Sequence, residues 1–288
     1  MPKFKLLALD LDGTLLDENS RVPEENARAV RAAQGLGVQV ALCTGRNAAD
    51  ARRFSAMLAA PADWAVTANG ADVRPLDGGA PVYTTPLERA QCDTILQICS
   101  DFEADPCLYT ADKLYYGWEF RKFVASLRGR GHPVDEALCD PGLFIGAPAA
   151  WQALLAREPE PFIKAILYHS DPDMVDRMQD ALAQTGLFEL APSVMYGGAL
   201  KNVEVNRKGV HKGRALAALA AQLGMGLDEV MAVGDSDNDL TMLQMAGLGV
   251  AMGDAAAHIR AAADAVTDGY TACGVARAIE RYILEGTR

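Results

Sequence analysis

Two carboxylates two residues apart, Asp10 and Asp12, follow the apolar stretch that ends at Leu9 and precede Gly13. Lys5 to Leu9 reads as a buried strand, apolar rather than alternating. While the chain stays extended, residues two apart leave on one face, so both acids exit together. Like charges that close repel unless a proton or a cation lies between them. Magnesium, which takes carboxylate oxygens together with waters and phosphate oxygens, is the natural neutraliser of such a pair.

Three further patterns fall at strand or loop ends. Cys43-Thr44-Gly45-Arg46 follows a strand and opens a helix, where a hydroxyl and unpaired N–H groups suit an anion. Lys212-Gly213 precedes another helix and offers an ammonium. Gly234-Asp235-Ser236-Asp237-Asn238-Asp239 follows the strand Val230 to Val233 and adds carboxylates and an amide. Its alternating acids imitate the opening of a calcium-binding EF-hand loop, but Leu240 and Ala246 stand where that loop needs glycine and a bidentate acid. His132, His169, His211 and His258 lack metal-ligand spacing and read as ordinary surface or core residues. Arg46 and the arginines from Arg121 to Arg130 could touch an anionic substrate, yet they read first as solvated faces.

The elements that must position these residues alternate. Strand, helix (Pro23 to Leu36) and strand (Val38 to Leu42) form a βαβ unit, followed by a helix from Ala48 to Ala59 and a strand from Trp64 to Thr67. The last 90 or so residues repeat the rhythm: helix Arg214 to Leu223, strand Val230 to Val233, helix Asp239 to Ala246, strand Leu248 to Ala251, and helices Ala255 to Ala263 and Val275 to Leu284. Such alternation predicts an α/β, doubly wound, Rossmann-like parallel sheet with helices on both faces, whose ligands bind at the carboxyl ends of its strands. Between about Val82 and Pro192 the pattern changes to paired strands and clustered aromatics, which predicts an inserted α+β domain. The expected division is therefore a core of residues 1–81 and 193–288 with a second domain of residues 82–192.

Composition narrows the function classes. The 288 residues are half hydrophobic, enough for two packed domains. A formal charge of −11 argues against nonspecific nucleic-acid binding, though not against a small anion held by metal and lysine. Asp10 and Asp12 interrupt any signal-peptide core, and no later apolar run approaches bilayer length, so no membrane association is expected. Six cysteines without metal spacing (Cys43, Cys92, Cys99, Cys107, Cys139, Cys273) fit reduced thiols in a cytoplasmic protein.

Taken in order, Asp10-Leu11-Asp12-Gly13-Thr14-Leu15-Leu16, Thr44-Gly45-Arg46, Gly209-Val210-His211-Lys212-Gly213 and Gly234-Asp235-Ser236-Asp237-Asn238-Asp239-Leu240 resemble the four motifs of the haloacid dehalogenase-like hydrolases. Asn69-Gly70-Ala71 and Ala251-Met252-Gly253-Asp254-Ala255 are similar to stretches of their Cof-type phosphatases, which usually carry Asn at the position of Asp254. Only about 30 residues separate Asp12 from Thr44, while a whole domain separates Thr44 from Lys212, so the resemblance implies a C2-type cap.

The resemblance further implies a magnesium-dependent phosphatase acting on a small phosphorylated metabolite, a sugar phosphate or a phosphorylated cofactor. Asp10 would be the nucleophile that forms an aspartyl-phosphate, and Asp12 the general acid and then base. Mg2+ would be held by Asp10, the main-chain carbonyl of Asp12, Asp235 and, directly or through water, Asp239. Thr44, Gly45, Lys212 and Asn238 would grip the phosphoryl oxygens, and the cap would exclude water and read the rest of the substrate. A phosphomutase or other phosphotransferase of the same superfamily, and a phosphometabolite sensor without turnover, are the alternatives. Monomer and homodimer both stay open.

Overall fold

The computed structural model describes residues 2–131 and 140–285, which leaves Cys139 and His132 outside. The chain forms two compact units, Met1–Thr84 with Val210–Arg288, and Thr85–Gly209.

The first unit is built on a sheet of β1 (Leu6–Leu9), β2 (Gln39–Cys43), β3 (Trp64–Thr67), β4 (Asp72–Pro75), β5 (Tyr83–Thr84), β11 (Val230–Gly234), β12 (Leu248–Ala251) and β13 (Ala265–Val266), in the order β13-β12-β11-β1-β2-β3-β4-β5. From β13 to β3 all pairs are parallel, with Leu9 opposite both Leu42 and Val233. Every residue of β1 and β11 is buried. Since successive side chains point to opposite faces, both faces must be covered. The cover comes from α1 (Glu24–Gly35), α2 (Ala48–Ser55), α7 (Lys212–Gln222), α8 (Leu240–Met245), α9 (Ala257–Ala262) and α10 (Gly274–Ile279), with α1 packed on α10 and α7 on α8. Buried Asn26 of α1 donates to the Leu15 carbonyl at 3.2 Å and accepts from the Ala276 N–H at 3.0 Å, tying the loop after β1 to both helices.

Chain order reverses at β1, which has β2 on one side and β11 on the other. The loops leaving these three strands diverge there and open a crevice at their carboxyl ends. The sheet is not parallel throughout, because β4 and β5 add antiparallel strands beside β3.

The second unit holds an antiparallel sheet of β6 (Pro106–Tyr109), β7 (Leu114–Tyr115), β8 (Lys164–Tyr168), β9 (Phe188–Met195) and β10 (Leu200–Arg207), ordered β7-β6-β8-β10-β9. Its helices are α3 (Arg89–Asp101), α4 (Trp118–Gly129), α5 (Pro148–Arg157) and α6 (Pro172–Thr185). Strand periodicity sorts the core. Ala165, Leu167, Val203 and Val205 pack with Ile95, Leu154 and Met178 of α3, α5 and α6, whereas Cys107, Ile166 and Tyr168 pack with Phe120 and Val124 of α4. This unit runs to Gly209 rather than to Pro192, because β9 continues through Pro192 and pairs in register with β10 as far as Arg207. β9 is an edge strand, the place where a sheet tolerates proline.

Among the described residues no helix is long and apolar enough to cross a membrane. Cys43, Cys92, Cys99, Cys107 and Cys273 are free thiols.

Candidate active site

Asp10 leaves the end of β1 with its N–H still bonded to the Val233 carbonyl at 3.0 Å, and the chain then makes a wide turn in which the Leu15 and Leu16 N–H groups reach back to Asp10 and Leu11. Gly13 makes that turn possible. Its φ is +79°, and a Cβ there would lie 2.5 Å from Asp235 Oδ2. Only glycine lets the first loop close on the loop after β11. Thr14, fully buried, donates its hydroxyl to Asp235 Oδ1 at 2.9 Å.

Lys212 is the first residue of α7 and has no solvent exposure. Its Nζ donates to Asp10 Oδ1 and to Asp239 Oδ1, each at 2.7 Å. Asp239 Oδ2 accepts the N–H groups of Asp235 and Ser236 at 3.0 and 3.1 Å, so this carboxylate is occupied on both oxygens and shapes the loop that carries Asp235. Carboxylate oxygens of Asp10, Asp235 and Asp239 all lie within 4.8 Å of one another. Asp237 points elsewhere, to exposed His258 at 2.7 Å, so the three alternating acids do not converge as in a calcium loop.

The electrostatics follow from burial. Desolvation and the Asp239 charge hold the Asp10 carboxyl well above its ordinary range, with Lys212 opposing them. Burial and Asp239 push Asp235 up to about 6, against the Thr14 hydrogen bond and Lys212. Burial alone would lower the Lys212 ammonium, but Asp10 and Asp239 outweigh it and keep the lysine charged. Buried Asp10 and Asp239 and half-buried Asp235 around one ammonium leave negative charge uncompensated, and their all-oxygen donor set suits a hard divalent cation.

Asp12 lies near enough for its charge to raise the Asp10 carboxyl further. Its side chain pairs with Arg46, which donates from Nε and Nη2 to the two carboxylate oxygens at 2.8 Å each. Arg46, read from sequence as solvated surface, is instead fixed by Asp12, by Asp50 at 3.6 Å and by the Phe54 ring at 5.1 Å.

Thr44 is buried at the end of β2, and its hydroxyl accepts the Arg46 N–H at 3.1 Å. Cys43, one residue earlier, feels the charges of Lys212, Asp10 and Asp239, although burial is what chiefly raises its thiol, to about 12. Thr44 and Gly45 do not themselves open a helix. Asn47 caps α2, accepting the Asp50 N–H at 2.9 Å, so Thr44 and Gly45 belong to the loop before it. His211 likewise caps α7 through Nδ1, a role its spacing did not suggest. Asn238 does not stand alone: its Oδ1 accepts from Ser236 and its Nδ2 donates to Asn69 at 3.2 Å. Asp254 accepts the Tyr270 N–H at 3.1 Å and adds a negative charge that Asp235 feels. Sequence reasoning assigned no role to Thr14, Arg46 or Asn69, although each lies inside a quoted motif.

Comparison with known proteins agrees with this geometry. The family model of haloacid dehalogenase-like hydrolases matches residues 7–279. The 5-amino-6-(5-phospho-D-ribitylamino)uracil phosphatase YcsE of Bacillus subtilis is 28% identical over 281 residues, covering 98% of this chain and 96% of that protein. Phosphatase YwpJ of the same organism is 30% identical over 277 residues, covering 92% and 94%. A solved haloacid dehalogenase-like hydrolase from B. subtilis superposes with a TM-score of 0.80 at 28% identity, over 97% of this chain and all of the other. With a match that spans nearly its whole length, the chain belongs to the haloacid dehalogenase-like hydrolases, within their Cof-type phosphatases.

Proposed function

We propose that the chain is a magnesium-dependent phosphatase of small phosphorylated metabolites that works through an aspartyl-phosphate on Asp10. The observation that carries this reading is the buried ammonium of Lys212, 2.7 Å from Asp10 Oδ1 and from Asp239 Oδ1, beside Asp235. With one oxygen of Asp10 held by the lysine, the other is oriented as the nucleophile. Its bond to phosphorus forms as the ester P–O bond breaks, and Asp12 delivers a proton to the departing alkoxide. In the second half Asp12 takes a proton from water, whose oxygen attacks phosphorus and releases the Asp10 carboxylate. Thr44, the Gly45 N–H, Lys212 and Asn238 bind the phosphoryl oxygens.

Asp10, Asp235 and the Asp12 carbonyl would hold Mg2+, with Asp239, whose oxygens are already engaged, acting behind them. When bound, the ion would offset the carboxylate charge and stabilise negative charge on the transferring group. Residues 85–209 form the cap that selects the substrate.

Release of p-nitrophenol from p-nitrophenyl phosphate, with and without Mg2+ and with Asp10→Asn as control, tests the reaction. A panel of sugar phosphates and phosphorylated cofactor precursors, including the phosphoribitylamino-uracil named for a relative, then tests the substrate. Isomerised hexose phosphate without phosphate release would replace the hydrolase by a mutase. Inactivity across metals and esters would replace it by a sensor.

A further inference from the structure

Ala68, Asn69 and Gly70 follow β3 with successive φ of +49°, +58° and +101°. Left-handed backbone is unfavourable for residues with a Cβ, so such a run persists only where surrounding contacts over-determine it. Those contacts reach three loops of the site. The N–H groups of Ala68 and Asn69 donate to the carbonyls of Arg46 and Thr44 at 2.8 and 3.1 Å. The Asn69 side-chain oxygen accepts from Asn238 Nδ2 at 3.2 Å, in a residue only 5% exposed. Gly70 approaches the start of α7 so closely that a Cβ would lie 2.7 Å from the His211 carbonyl oxygen, one residue before Lys212.

Building on the phosphatase reading, we infer that Asn69 is a positioning residue whose side chain holds the Asn238 amide in the arrangement that grips a phosphoryl group, while its N–H holds the Thr44 loop. Asn238 is fixed from both ends, by Ser236 on its oxygen and by Asn69 on its nitrogen. An amide nitrogen carries two hydrogens, so fixing one sets the direction of the other. A neutral amide supplies the acceptor without adding charge to a region that already carries Asp10, Asp235 and Asp239.

Asn69→Gly separates side chain from backbone, because glycine takes the same left-handed φ without cost. The expected result is a KM for p-nitrophenyl phosphate and a Kd for orthovanadate with Mg2+ each raised about tenfold, with Tm moved by no more than about 3 °C. Asn69→Gly combined with Asn238→Ala should bind vanadate no more weakly than Asn238→Ala alone. Equal vanadate affinity in wild type and Asn69→Gly, or additive losses in the double variant, would overturn the inference. A wild type that binds vanadate but turns over no ester sinks the hydrolase reading alone, while one that binds no vanadate sinks both.

Discussion

Arg46 holds Asp12 by a two-pronged pair, Nε to Oδ2 and Nη2 to Oδ1, both at 2.8 Å. In this state both oxygens of the proposed proton donor are engaged, so Asp12 must release at least one before it can serve a leaving group. The pair thus sets where the carboxylate waits and how far it must travel. Replacing Arg46 by Ala should lower kcat about 10- to 100-fold. Because the pair is half exposed, the same change should alter stability by less than about 1 kcal/mol in urea titrations. Lysine, a single-point donor, should rescue little.

Asp12→Asn keeps shape but removes proton transfer. Turnover should fall about 10²- to 10⁴-fold, with inhibition by vanadate nearly unchanged. Near-normal steady-state rates would show that another group moves the proton.

Lys212→Met leaves Asp10 and Asp239 facing each other without their shared ammonium. Breaking a buried pair of this kind costs about 3–5 kcal/mol, read by urea denaturation in EDTA at pH 8. Added Mg2+ should restore part of it, and the cost should shrink at pH 5, where protonation relieves the repulsion.

The pH dependence of the metal-free protein has a defined sign. Asp235 titrates near 6 in the folded protein against an ordinary value near 3.8, and Asp10 shifts in the same direction. The folded state therefore binds more protons than the unfolded one between these values. The stability from Asp235 is complete below about pH 4 and is lost as pH rises through about 6, with Asp10 acting in the same direction. Differential scanning calorimetry with EDTA should show this loss, and Mg2+ should raise Tm more at pH 8 than at pH 5.

Gly13→Ala puts a methyl against the Asp235 carboxylate at a positive φ. The loops must part, and Mg2+ affinity, titrated through activity, should fall about 10- to 100-fold. Unchanged affinity would mean that Asp235 lies off the metal.

Much of the core was legible because buried parallel strands announce themselves. Leu6 to Leu9 and Val230 to Val233 are unbroken apolar runs, each followed by acids. Short strands at the periphery were not: Asp72–Pro75 is polar and ends in proline, and Tyr83–Thr84 has two residues, so pairing alone defines them. Leu200–Arg207 is a central strand between β8 and β9, buried at Leu200, Asn202, Val203, Val205 and Asn206, but Pro192 concealed β9 as its partner. At the site the residue types gave Asp10, Lys212, Asp235 and Asp239. What they could not give was the destination of a long side chain, which is why Arg46 read as surface. Nor could they reveal contacts across 169 residues, such as Asn69 with Asn238.

The place of β1 between β2 and β11 has a consequence for biosynthesis. One flank of β1 pairs early with a neighbour some 30 positions on, while the other waits for Val230–Gly234, beyond the entire second unit. Until translation reaches that segment, the nascent polypeptide carries an apolar strand with a bare hydrogen-bonding margin, the kind of surface that invites aggregation and chaperone capture. A product terminated before residue 212 carries Asp10 with neither Lys212 nor Asp235 beside it.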